Sequence, residues 1–195
     1  MEDFKMYFTE GWNHIMSSDA LDHQLFILSL AALFLWKDWR RVLVLVTAFT
    51  LGHSLTLALS VYDVIRFSIA WVEFLIPITI LLTAIYDLRY LNISKIEGRN
   101  IQFNYIIALS FGLVHGMGFA NSIRQMLASD QTIGIPLLSF NIGLEVGQIV
   151  LILLILLIAQ LLVVNVKLPR KYWILLLSVI PLILSLRMAL ERIPF

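Results

Sequence analysis

The residues with the most chemistry to offer in this chain are its four histidines, His14, His23, His53 and His115, and two carboxylates in apolar surroundings, Glu73 and Glu145. Imidazole and carboxylate without thiolate suit borderline divalent cations such as nickel, cobalt, zinc or iron. The chain has no cysteine, which removes disulfides, thiolate ligands and a cysteine nucleophile together. Copper(I) prefers sulfur, for which Met16 and Met117 are thin support. Calcium and magnesium favour oxygen ligands alone. No H-x-x-x-H pair occurs, so any site must be assembled from separate elements.

Those elements are membrane helices. Hydrophobic residues make up 60% of the chain and charged ones 14%, in long apolar runs broken by short charged segments, a pattern no soluble domain carries. The expected fold is an all-α polytopic membrane bundle forming a single domain over 1–195. Six spans are read at about 21–36, 42–62, 66–87, 104–122, 137–163 and 172–190, each near the roughly 20 residues needed to cross hydrocarbon. An amphipathic segment with Phe4, Tyr7, Phe8, Gly11 and Ile15 at helical spacing precedes them, and 1–18 is expected to lie at the interface. Ser18, Asp19 and Asp22 stand where an N-cap and first-turn acids would start the first span, Asp19 being the favoured cap.

Counting inward at roughly 1.5 Å per residue places His53, Glu73, His115 and Glu145 about 10–13 Å from the same side of the membrane. His14 and His23 flank that mouth, with Asp22 beside them. A single polar residue in a membrane helix is usually interhelical glue. Four ionisable groups at matched depth instead mark an ion path, a relay or a shared site. Asn141, Glu145 and Gln148 share one helix face and Ser54 adjoins His53, which makes Asn141, Gln148 and Ser54 candidate supporting residues. Gly112 with Gly116, and Gly143 with Gly147, have the small-xxx-small spacing of close helix packing. The order His53, Glu73 then His115, Glu145 hints at an internal parallel repeat.

Loops after the first, third and fifth spans hold Lys37, Arg40, Arg41, Arg89, Lys95, Arg99, Lys167, Arg170 and Lys171, against Lys5, Arg66, Arg124, Arg187 and Arg192 opposite. The positive-inside bias therefore predicts both termini outside, with the histidines toward that face. No basic start precedes a short apolar region, so no cleavable signal peptide is expected. A net charge of +1, no Gly-rich phosphate loop and no soluble basic patch give no sign of nucleic-acid, nucleotide or organic-cofactor binding.

The run from His14 to Asp22-His23, then FTLGHSLTLALS at 49–60, FGLVHGMGFA at 111–120 and FNIGLEVGQ at 140–148, resembles the HupE/UreJ family of hydrogenase and urease accessory membrane proteins over nearly the whole chain. The resemblance implies a nickel or cobalt permease, or an accessory protein supplying metal to a nickel-enzyme maturation system, with His14, Asp22, His23, His53, His115 and Glu145 as metal contacts and Glu73 beside them. The expected location is a bacterial inner membrane with the site facing the periplasm. Two other readings remain open at the level of sequence. One is an intramembrane zinc-dependent hydrolase using the same His/Glu cluster, with a glutamate as base. The other is a protein that binds metal and hands it on without transport. A permease needs polar groups continuing below the site. There the sequence offers Thr47, Thr83, Ser29 and Gln160 among apolar residues. Oligomeric state is not legible in the sequence.

Overall fold

The computed structural model describes residues 2–91, 101–120, 123 and 133–194. These form helices α1 (Glu2–Met16), α2 (Leu21–Ala31), α3 (Trp39–Val61), α4 (Ile69–Leu88), α5 (Ile101–Gly118), α6 (Gly134–Ala159) and α7 (Arg170–Glu191), and no strand appears among the described residues. A single 3₁₀ turn, Trp36–Asp38, leads into α3, and α6 runs on through a π-wound stretch, Gln160–Asn165. The lengths Trp36–Val61, Ile69–Leu88, Gly134–Asn165 and Arg170–Glu191 are each long and apolar enough to cross a membrane. The expected spans at 42–62, 66–87, 137–163 and 172–190 thus fall within α3, α4, α6 and α7 to within a few residues, and the span at 104–122 falls on α5. Its last residues, 121–122, and Lys95, Arg99 and Arg124 lie outside the described residues.

The segment 21–36 departs most from expectation, because α2 is helical for only 11 residues. At about 1.5 Å per residue it covers roughly 16 Å, half a bilayer core. Its lower end is closed by turns, Ala32 N–H to the Ser29 carbonyl and Phe34 N–H to the Ala31 carbonyl. The Arg170 guanidinium then donates to the Leu33 carbonyl at 2.6 Å, a cation at a helix carboxyl end where it is favoured. At the upper end the N-cap is Ala20, with no side-chain cap, so Asp19 does not play the expected role. Gln24 ties α2 to α1 instead, donating from Nε2 to the carbonyls of Ile15 and Ser17 at 3.0 and 2.8 Å.

Two glycine-mediated helix crossings set the positions of the remaining elements. A Cβ at Gly52 would overlap the Leu109 carbonyl oxygen, and one at Gly112 or Gly116 the carbonyls of Phe49 or His53, so α3 and α5 meet backbone to backbone. Likewise a Cβ at Gly11 would overlap the Phe140 carbonyl and one at Gly143 that of Phe8, while Gly147 faces Ile15. Both crossings are parallel, and α1 and α3 bring the same Phe-Thr-x-Gly sequence to them, at 8–11 and 49–52. The repeat built by the structure therefore relates α1 with α6 to α3 with α5, a different pairing from the His-then-Glu order seen along the sequence. Tyr7, Gly11 and Ile15 of α1 are covered by the bundle, and Phe4 and Met6 stay exposed. Only Gly permits such an approach, and close packing supplies the van der Waals contact that holds helices together where no hydrophobic gradient exists.

Candidate metal centre

Three imidazoles converge where the two crossings meet. His14 comes from the last turn of α1, His23 from the first turn of α2 and His53 from the middle of α3. One ring nitrogen of each lies within 4.8 Å of the other two. Metal–nitrogen bonds are about 2.0–2.1 Å, which sets two nitrogens on one tetrahedral ion about 3.4 Å apart, so a pair at the 4.8 Å limit would close by about 1.4 Å on binding. The glycine contact at Gly112 and Gly116 brings α5 alongside, and His115 places its ring 5.0 Å from that of His23.

Hydrogen bonding fixes which nitrogens face inward. Asp22 Oδ1 accepts from the His23 backbone N–H at 2.8 Å and lies 3.0 Å from His23 Nδ1. A carboxylate only accepts, so Nδ1 carries the hydrogen and Nε2 is left as a lone pair. Thr79 Oγ1 lies 2.7 Å from the Ile76 carbonyl and 3.2 Å from His115 Nε2. Its one proton goes to the carbonyl, so Nε2 of His115 donates and Nδ1 is the bare acceptor. Nε2 of His14 and His23 and Nδ1 of His115 are buried with no hydrogen-bond partner, while the Asn141 side chain stands beside the buried His53 ring. Each such atom costs about 1–3 kcal/mol when left unsatisfied. A single cation of borderline softness satisfies several of them at once, and this donor set fits nickel, cobalt or zinc.

Aromatic rings enclose the cluster. Phe119 and Phe140 stack on each other at 4.9 Å beside His14, and Phe26 and Phe49 stack at 4.8 Å beneath His115 and His53. Burial here, reinforced by His23 next to it, pushes the His14 imidazole well below the ordinary histidine range, so it is neutral and able to bind metal at neutral pH. Above the cluster a cavity of about 470 Å³ opens upward between α1, α4, α5 and the end of α7, lined by Glu10, Asp19, Asp22 and Glu73, with Arg192 at its edge.

The structure thus brings His14, Asp22, His23, His53 and His115 together, with Glu73 at the cavity wall one layer up. Glu145 is placed elsewhere: it accepts a 2.7 Å hydrogen bond from Thr47 of α3, six residues below His53. Of the candidate supporting residues, Gln148 accepts from Thr50 at 2.8 Å, Ser54 donates to the Thr50 carbonyl, and Asn141 donates to the Leu137 carbonyl. Thr79 was not singled out by sequence. The spacing of Thr79, Thr83 and Asp87, four residues apart on one face of α4, is the signal that marks it.

Among the described residues, helices without strands, four of them long and apolar enough to cross a membrane, and a histidine cluster that could hold a metal ion are the features of a polytopic membrane bundle. The family model described as HupE / UreJ protein matches residues 1–191, and the chain belongs to that family. Among curated proteins and solved structures, none matches the chain significantly.

Proposed function

We propose that this protein is a permease for a divalent transition metal, nickel or cobalt, in a bacterial inner membrane, with the upper cavity facing the periplasm. The observation that carries the reading is the convergence of one ring nitrogen each from His14, His23 and His53 within 4.8 Å of one another, with the His115 ring alongside that of His23. A hydrated cation would enter the acidic cavity past Glu10, Asp19 and Glu73, exchange water for imidazole at His14 and His23, and pass to His53 and His115. Metal is the cargo, and the protein's part is to dehydrate, orient and release it. Family membership favours metal handling over hydrolysis, and a nickel-enzyme maturation system is the natural recipient.

Elemental analysis of purified protein beside a His53→Ala/His115→Ala variant, followed by metal uptake into sealed vesicles, tests this. Metal bound by the parent and lost in the variant, with uptake lost in parallel, is the expected result. Uptake that survives in the double variant overturns the reading, and bound metal with no uptake by the parent turns it into metal delivery.

A further inference from the structure

A second cavity, of about 360 Å³, lies below the histidine cluster between α2, α3, α4 and α5. It shares no lining residue with the upper one, yet the two are a single helical turn apart. On α5, His115 lines the upper cavity and Phe111 the lower. On α4, Thr79 touches His115, and Thr83, which lines the lower cavity, donates to the Thr79 carbonyl at 2.9 Å. The layer between consists of Phe26, Phe49 and Phe111, with Phe26 packed on both others at 4.8 and 6.0 Å.

The walls of this lower cavity are not uniformly apolar. Asp87 is 4% exposed and Asn104 8%, and Thr83 and Tyr86 add hydroxyl oxygens on the same side of α4. Arg89 lies at the exposed rim of the same wall. All four uncharged or acidic groups offer oxygen, in contrast to the nitrogen donors above. Nickel and cobalt bind imidazole more tightly than carboxylate, carbonyl or hydroxyl oxygen, which suits an upper site for capture and a lower one for release. A buried carboxylate in a membrane helix that lines a cavity is the common mark of an ion pathway.

We propose that the lower cavity is a second divalent-cation site, anchored by Asp87 with Asn104, Thr83 and Tyr86, to which an ion leaving the histidine cluster passes. The transport half of this statement rests on the permease reading; the binding half does not. Binding of Co²⁺ to purified protein in detergent, by calorimetry, separates the two when run beside Co²⁺ uptake into vesicles. The parent should bind in a tighter and a weaker step. Asp87→Asn should lose the weaker step, keep the tighter one and lose uptake, while His23→Ala/His53→Ala should keep only the weaker one. Asn104→Ala carries the same expectation as Asp87→Asn and replaces it should that variant not purify as a monodisperse helical protein. A single binding step in the parent, or a weaker step that survives both substitutions, overturns the second site. Two steps assigned as expected but no uptake by the parent would leave the site standing and remove transport.

Discussion

The Asp22 carboxylate folds back onto the residue that follows it, with Oδ1 3.0 Å from Nδ1 of His23 and 2.8 Å from the His23 backbone nitrogen. Two neighbours in sequence thereby form the carboxylate–imidazole arrangement that orients a metal-binding histidine. The geometry depends on α2 beginning here, since the first turn of a helix leaves the backbone N–H free to hold the acid in place.

Replacing Asp22 by Asn keeps the shape but removes the negative charge that holds the His23 Nδ1–H, leaving a weaker neutral acceptor and an amide that can turn its NH₂ to the ring. Metal affinity should drop about 10–100-fold, the usual cost of losing an orienting partner. Calorimetric titration of Asp22→Asn with Ni²⁺ measures this directly; affinity equal to the parent would mean that His23 is oriented by something else.

Glu145 and His53 offer the sharpest separation among the acids and imidazoles read from sequence. Because Glu145 is engaged with Thr47, Glu145→Gln should leave the affinity of the tighter site within about twofold, whereas His53→Ala should abolish it. A Glu145→Gln protein that no longer binds would return this acid to the ligand set.

The backbone contact at Gly112 should tolerate no side chain. A methyl group there meets the Phe49 carbonyl, and Gly112→Ala should lower stability by about 1–3 kcal/mol or more through forced separation of α3 and α5. Thermal unfolding in detergent reads the loss. Gly134, with nothing near its would-be Cβ, serves as the control, and Gly134→Ala should leave the melting temperature unchanged.

Acidification should destabilise the metal-free protein. The His14 imidazole is held below its ordinary range in the folded state, so the unfolded chain binds the proton more readily. Stability is then fully present above about pH 6.5 and falls as the pH drops below it. The melting temperature of metal-free protein between about pH 7.5 and 5 shows the slope. His14→Gln should make it shallower, and a slope left untouched would assign the effect to other groups of the cluster.

Much of this arrangement was legible in the sequence. Apolar run lengths located α3, α4, α6 and α7, because hydrocarbon thickness imposes a length on every span. Helical depth placed His53 and His115 together, because rise per residue converts position into height. Depth says nothing of azimuth, so Glu145 looked equivalent to His115 although its side chain turns toward Thr47. The short α2 was hidden because its apolar run continues to Trp36 after the helix has stopped, in a stretch held by tight turns and by the Arg170 contact with Leu33 from a distant helix. Asp87 passed unnoticed because at the end of a span a carboxylate looks like a solvated boundary residue, whereas here it is buried and shares a cavity with Asn104 of α5.

The two glycine crossings make α1 with α6 one stiff body and α3 with α5 another, and the histidines are divided between them. His14 belongs to the first body and His53 and His115 to the second. The seam between the two bodies is already stitched by Thr47 to Glu145 and Thr50 to Gln148, and an ion held by His14 and His53 would add a further tie across it.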